Sequence, residues 1–169
     1  NTQVNITNAA DSLMEARKDW QVYYSTDTHF NKIGSFVASM DLLNALGLGA
    51  QPLASVRFDV TSADWAGDLA GLSGMKDHFA QDTYYELNPD SVDPAFKIHK
   101  KLLLIGDSFG ERMAETLRNY FDEVEYVHIW EVKPETVSQT DADYVVWESC
   151  ERYCYHYFTN SILNPEQGN

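Results

Sequence analysis

Residues 100–121 read KKLLLIGDSFGERMAETLRNYF, and the fold turns on how they are read. Leu102–Ile105 run without polar alternation. A short apolar run bounded by a turn signal fits a strand covered on both faces. Gly106 breaks the run, and helical periodicity continues through Met113, Leu117 and Phe121. The segment therefore reads as strand 101–105, a glycine turn and helix 111–121. Glu125–Ile129 and Ala142–Trp147 read as two further strands, the last followed by a helical segment through Tyr157. Apolar strands separated by helices predict a mainly parallel sheet in a three-layer α/β/α domain.

The chain upstream is less regular. Leu13, Ala16 and Trp20 recur at helical spacing within residues 1–20, and QVYY (21–24) fits a short strand. Asn31 is placed to cap a helix over 32–46, whose apolar stripe is Ile33, Phe36, Val37, Met40, Leu43 and Leu46. Gly47 and Gly49 supply its stop. Val56, Phe58 and Val60 alternate like a strand, and GDLAGLSGM (67–75) is a short helical or loop piece. Tyr84–Leu87 reads as another strand before the turn Asn88-Pro89-Asp90. With no internal repeat and no long linker, a single domain over 1–169 is expected.

Composition narrows the function classes. The 169 residues are 44% hydrophobic and 13% aromatic, which suits a domain with a real core and argues against disorder. The formal charge is −14 and no basic run exceeds two residues, so a nucleic-acid partner is excluded. No apolar stretch approaches the ~20 residues that a bilayer requires. The chain begins at Asn1 without a signal-peptide pattern, as expected of a mature or trimmed chain whose address has been removed. Cys150 and Cys154 are four apart, a helical spacing poorly suited to bridging, and are read as a free or buried pair.

Reactive groups of open α/β sheets gather at the carboxyl ends of strands. Gly106-Asp107-Ser108-Phe109-Gly110 sits at such an end. There Ser108 lies near a helix N-terminus, whose N–H groups suit the oxyanion of acyl transfer. A serine hydroxyl needs an adjacent base. YYSTDTHFN (23–31) offers His29 as that base and Asp27 to hold its imidazole. Thr28, between them, is expected to point away from the base. Each piece also has a plainer reading: a capped helix with Ser108 or Asp107 as N-cap, and a polar loop around Asp27 and His29. His78, His99, His128 and His156 read as surface or satisfied residues. No His or Cys pair has zinc-ligand spacing, so neither metal nor cofactor is expected.

With both motifs placed, the chain resembles the SGNH-hydrolase-like domain of the alginate O-acetyltransferase (AlgX/AlgJ-type) family, including its DHHW-type relatives. The likeness rests on YYSTDTHFNKIGSFVASMDLL, WAGDLAGLSGM, LLLIGDSFGERM and ADYVVWESCERY, spread over roughly residues 13–155. The Asp-His block precedes the serine block, as in that family's permuted arrangement and unlike ordinary SGNH esterases. The resemblance implies a flavodoxin-like α/β/α domain with Ser108 as nucleophile, His29 as base and then acid, and Asp27 as the orienting carboxylate. It further implies an acetyl-serine intermediate, a polysaccharide or oligosaccharide acceptor, a membrane-bound acetyl-donor protein and an extracytoplasmic (periplasmic or cell-surface) location.

There are departures from the pattern. Phe30 stands where the family commonly has Trp, keeping an aromatic wall but losing an N–H donor. No glycine occurs between Gly110 and Gly168, so the Gly and Asn blocks that complete an ordinary SGNH oxyanion hole are missing. The backbone N–H of Ser108 or Phe109 can serve, with Tyr126, His128 and Trp130 as candidates for the remaining donor. Arg152 either orients substrate or pairs with an acid. An esterase or polysaccharide deacetylase would use the same triad. A non-catalytic carbohydrate-binding module would instead use aromatics such as Trp65, Tyr84, Tyr85 and Trp130 to stack on sugar rings.

Overall fold

The computed structural model describes residues 4–79 and 81–154. The chain divides into two compact units, residues 1–98 and 99–169.

The first unit begins with α1 (Ala10–Ala16), which packs on α2 (Lys32–Ala45). Ser12 Oγ donates to Asp41 Oδ1 at 2.9 Å across that contact. Asn31 caps α2 as expected, its Oδ1 accepting from the N–H groups of Ile33 and Gly34 at 3.0 and 3.1 Å. Its Nδ2 donates to Gln21 O at 2.6 Å, which pins the incoming chain to the helix start. Gly47 and Gly49 follow the helix with φ of 72° and 73°, a region that glycine enters at little cost. Burial on α2 is wider than the predicted stripe. Gly34, Ser35, Ala38 and Ser39 are buried as well, small residues that allow close approach.

The strand expected at 21–24 is reduced to one antiparallel bridge between Tyr23 and Phe30. The two residues flank the Asp-His loop, and the short excursion between them leaves no room for a ladder. Beyond α2 come β1 (Phe58–Ala63), α3 (Asp68–Leu72) and β2 (Asp82–Leu87). β1 and β2 form their own two-stranded antiparallel sheet, in register from Phe58↔Leu87 to Ala63↔Asp82. Several of their residues are exposed, a state that antiparallel pairs tolerate and parallel ones seldom do. Tyr24, Trp65 and Tyr84 form a three-ring cluster with centroids 5.3–5.5 Å apart.

The second unit holds the predicted parallel sheet. β3 (Ile98–Gly106) leads into α4 (Ser108–Leu117), then β4 (Phe121–His128), α5 (Pro134–Ser138) and β5 (Tyr144–Trp147). The strand order is β4-β3-β5, with β5 parallel to β3 from Leu102↔Tyr144 to Ile105↔Trp147. Leu102–Ile105 are each 1% exposed or less, which is why the central strand reads as an unbroken apolar run. Leu103 and Ile105 share a core cluster with Val132, and Val127 and Ala142 pack against it. Met113, Ala114 and Leu117 form the buried face of α4.

Several boundaries differ from the expectation: β3 and α4 each begin three residues early, at Ile98 and Ser108, and β5 begins at Tyr144. α4 ends at Leu117, and β4 starts four residues before the predicted Glu125. Asp122 and Glu123 are exposed, and their charges hid the strand start that buried Phe121 marks. The helical segment after β5 is described for residues 151–154; the rest of that predicted helix, with His156, lies outside the described residues. Cys150 and Cys154 are free thiols. Among the described residues, no helix is long and apolar enough to cross a membrane.

Gly34 gives a test of this packing. A Cβ there would overlap Val22 O and lie 2.6 Å from Phe30 Cβ. Helix propensity favours alanine by ~1 kcal/mol, but the overlap is with backbone that cannot rotate away. Gly34→Ala is expected to destabilise the protein by ~1–3 kcal/mol in urea unfolding; an unchanged or higher midpoint would show that the loop is not held against α2.

Candidate functional site

Asp27 and His29 belong to the first unit and Ser108 to the second. Each half is built by its own unit.

In the first unit the Asp-His loop is a network of backbone donors gathered by three carboxylates. Asp27 is 6% exposed. Its Oδ1 accepts from the backbone N–H of His29 at 2.9 Å and meets His29 Nδ1 at 2.5 Å. Its Oδ2 accepts from Asp68 N–H at 3.0 Å. With a carboxylate as partner, Nδ1 carries the proton, and Nε2 is left as the basic nitrogen. Burial works to raise the Asp27 pKa, but the N–H groups of Asp68 and His29 and the His29 side chain outweigh it, and the carboxyl sits below its usual value.

Asp68, at the start of α3, holds Thr28. Its Oδ1 accepts from Thr28 N–H at 2.7 Å and its Oδ2 from the Thr28 hydroxyl at 2.5 Å. Asp68 Oδ2 also lies 4.0 Å from His29 Nδ1. The acidic oxygens and the imidazole nitrogen of Asp27, His29 and Asp68 lie within 4.8 Å of one another. N–H and O–H donors already point at these oxygens, as in a network that orients a histidine. Asp82, at the start of β2, anchors the loop on its other side. It accepts from Ser25 N–H, Thr26 N–H and the Thr26 hydroxyl at 3.2, 2.8 and 2.8 Å. Gly67 completes the fit, because a Cβ there would meet Asp27 Cβ and lie 2.5 Å from Thr26 O.

In the second unit, Ser108 is the first residue of α4 and directly follows the end of β3. Asp107 is the N-cap, its Oδ1 accepting from Phe109 N–H at 2.8 Å. Its Oδ2 accepts from Cys150 N–H at 2.9 Å, tying the segment after β5 to the turn. Phe109 N–H is thus directed at the cap. Tyr126 reaches the same turn from β4: its hydroxyl lies 3.0 Å from Gly106 O and 2.8 Å from Asp107 O. Burial, then the acids around it, hold that hydroxyl well above its ordinary pKa, so it remains a donor.

Glu148 lies under the turn, at the end of β5. Its Oε2 accepts from Asp107 N–H at 3.3 Å. A Cβ on either Gly106 or Gly110 would come within 2.8 Å of that oxygen. Neither glycine needs a left-handed backbone; both are small because a carboxyl lies against them.

Arg152 is stacked, with its guanidinium carbon 5.8 Å from the centre of the Phe109 ring and 5.1 Å from that of Tyr153. Trp130 meets Tyr153 at 6.3 Å. Phe109, Trp130 and Arg152 therefore belong to one cation–aromatic group beside the start of α4. His128 Nδ1 accepts from Trp130 N–H at 3.4 Å, and its ring meets that of Tyr126 at 6.4 Å.

No family model matches the chain, and no curated protein matches it by sequence. Solved structures do match it. A DHHW family protein from Eubacterium siraeum superposes with a TM-score of 0.64 at 13% identity, over 82% of this chain and 62% of that one. The O-acetyltransferase domain of Pseudomonas putida AlgJ does so at 0.52 and 21% identity, over 86% and 59%. PatB1 of Bacillus cereus does so at 0.54 and 12%, over 83% and 68%. The chain has their fold. It spans about three fifths of the length of the first two. The mixed α/β class and the AlgJ- and DHHW-type resemblance read from the sequence are both met at the level of fold.

Within this AlgJ- and DHHW-like fold, three supporting acids were not singled out from the sequence. Asp68 and Glu148 sit in stretches quoted for the resemblance, WAGDLAGLSGM and ADYVVWESCERY, but nothing local says that they turn inward. Asp82 gives no local signal, since its partners are 56 and 57 positions away.

Asp82 carries a test of how the loop is held. Burial raises its pKa, but the donors of Thr26, Thr83 and Ser25 outweigh burial and lower it. A lowered folded-state pKa stabilises above the unfolded value, and the gain is lost as pH falls through the folded one. Asp82→Asn turns an amide N–H toward these donors. It is expected to cost ~1–3 kcal/mol at neutral pH in urea unfolding, with the gap to wild type closing below about pH 4. A gap that persists in acid would contradict the ionised anchor.

Proposed function

We propose that this protein is a serine-dependent O-acetyltransferase that passes an acetyl group through Ser108 to a sugar hydroxyl. The observation that carries the reading is the Asp27–His29 pair, its carboxylate buried and 2.5 Å from Nδ1, in a chain that also sets Ser108 at the first position of α4. The fold shared with the AlgJ O-acetyltransferase domain adds support.

In this mechanism Ser108 Oγ attacks the carbonyl carbon of an acetyl ester donor while its proton passes to His29 Nε2. Asp27 stabilises the imidazolium that forms. The tetrahedral oxyanion lies at the N-terminus of α4, where the Ser108 N–H and the helix dipole oppose its charge. Collapse breaks the bond to the donor's leaving oxygen, which takes the proton from His29 and departs. The acetyl group is now an ester of Ser108. A sugar hydroxyl attacks that ester, its proton goes to His29, and the returning proton restores the Ser108 hydroxyl. With water as acceptor the same steps make an esterase or deacetylase. Tyr126 fixes the turn through the carbonyls of Gly106 and Asp107, while Phe109, Trp130 and Arg152 form a wall against which an acceptor can stack. A membrane-bound acetyl donor and an extracytoplasmic setting fit this chemistry. The formal charge of −14 favours an uncharged acceptor over a polyuronate.

A chromogenic acetyl ester supplied with and without oligosaccharides tests the reading. Acetylated sugar is expected by mass spectrometry, with neutral oligosaccharides outperforming uronates, and Ser108→Ala or His29→Ala is expected to lower turnover by ~10³-fold or more. Hydrolysis indifferent to every acceptor would make the protein an esterase. Retained turnover in Ser108→Ala, or failure of a serine-directed phosphonate to label Ser108, would overturn the catalytic assignment and leave the sugar-binding module.

A further inference from the structure

The glycines on either side of Asp107-Ser108-Phe109 make room for one half-buried carboxyl. Glu148 Oε2 lies 2.8 Å from the position of a Cβ on Gly106 and 2.8 Å from that of one on Gly110. The backbone N–H of Asp107 donates to that oxygen at 3.3 Å, and the negative charge of Asp107 acts on the carboxyl. Asp107 in turn holds Phe109 N–H with Oδ1 and Cys150 N–H with Oδ2. The turn that presents Ser108 is therefore clamped by two neighbouring carboxyl groups.

Two carboxylates that share one buried site do not both ionise readily. Asp107 caps α4 and already accepts from the N–H groups of Phe109 and Cys150. Glu148 is then the group of the two that takes the proton, while its Oε2 accepts from the turn. We propose that Glu148 is the positioning residue of the Ser108 turn, and that the turn keeps its competent shape only while Glu148 is protonated. The catalytic part of this proposal rests on the acyl-transfer reading above; the clamp itself does not.

Burial first, then the negative charge of Asp107, pushes the Glu148 pKa up to about 8. The groups facing it are Asp107 from the turn, Tyr126 from β4 and Cys150 from its own segment. Glu111 on α4 and Glu131 beyond β4 act on Tyr126, and the Arg152 guanidinium acts on Cys150. Burial also raises the Cys150 thiol, to about 11, and the Tyr126 hydroxyl titrates higher still. Glu148 is thus the first of the three facing neutral groups to lose a proton as pH rises. An acid whose folded-state pKa is raised binds more protons folded than unfolded, so stability falls as pH climbs from 4.5 to about 8 and then levels.

The test titrates the protein with ¹³C-carboxyl glutamate and follows the backbone amides of Asp107, Ser108 and Gly110 in the same samples. One glutamate resonance is expected to titrate near pH 8, the three amides moving with it, and Glu148→Gln should abolish both. Turnover of the chromogenic ester should fall through the same pH range in wild type. Glu148→Gln, a neutral mimic that can still donate and accept, should keep turnover within ~3-fold and lose the alkaline limb. Glu148→Ala should lower kcat by ~10-fold or more with KM within ~2-fold. The proposal is overturned if every glutamate titrates as an ordinary carboxyl, if the turn amides ignore the Glu148 titration, if Glu148→Gln retains the alkaline limb, or if Glu148→Ala turns over like wild type. Should wild type show no turnover at all, the acyl-transfer reading falls, and the carboxyl and amide titrations still decide the clamp.

Discussion

Asp107 joins the end of β3 to two other segments with one side chain. It caps α4 through Phe109 N–H and holds the segment after β5 through Cys150 N–H, while its own backbone N–H donates to Glu148. The strand it follows is buried on both faces, so β3 cannot shift to relieve a poor fit at its end. The geometry of the Ser108 turn is therefore set by a rigid strand below and a carboxyl pair beside it. Tyr126 adds a third restraint through two backbone carbonyls. A serine held in this way loses little freedom when it reacts, which is the physical content of preorganisation.

The Asp-His loop follows the same logic with different parts. The seven residues Tyr23 to His29 contain no helix or extended ladder, yet the N–H groups of Ser25, Thr26, Thr28 and His29 are held by Asp27, Asp68 and Asp82. Carboxylates that accept several backbone donors stiffen a loop without a ladder, and they keep their charge while buried. This also accounts for part of the chain's acidity. Several of its acids are internal fasteners, so the formal charge of −14 overstates what a passing ligand meets at the surface.

Much of this was legible in the sequence wherever the signal was local. Leu102–Ile105, Gly106 and the periodicity through Leu117 place β3 and α4, and Asn31 and Gly47 mark the ends of α2, because strand burial, capping and left-handed glycine are short-range demands. Asp27 and His29 were legible as a pair because they are two positions apart. What escaped was set by distance along the chain. The antiparallel β1–β2 pair, Asp82 holding Thr26, and Glu148 under Gly106 and Gly110 each join residues roughly 20 to 60 positions apart. The two glycines of the serine turn show the limit well. They read as makers of a tight turn, but their φ values are ordinary and what they provide is space for a carboxyl.

The central claim is that Ser108 carries the acetyl group, and the acyl-enzyme itself is the most direct evidence for it. Wild type mixed with an acetyl ester, quenched in acid within the first turnovers and mapped by peptide mass spectrometry, should carry one acetyl group on Ser108. The adduct should be lost in Ser108→Ala and should discharge when a sugar acceptor is added before the quench. Acetylation on another residue, or turnover of the ester with no adduct on Ser108, would contradict the account.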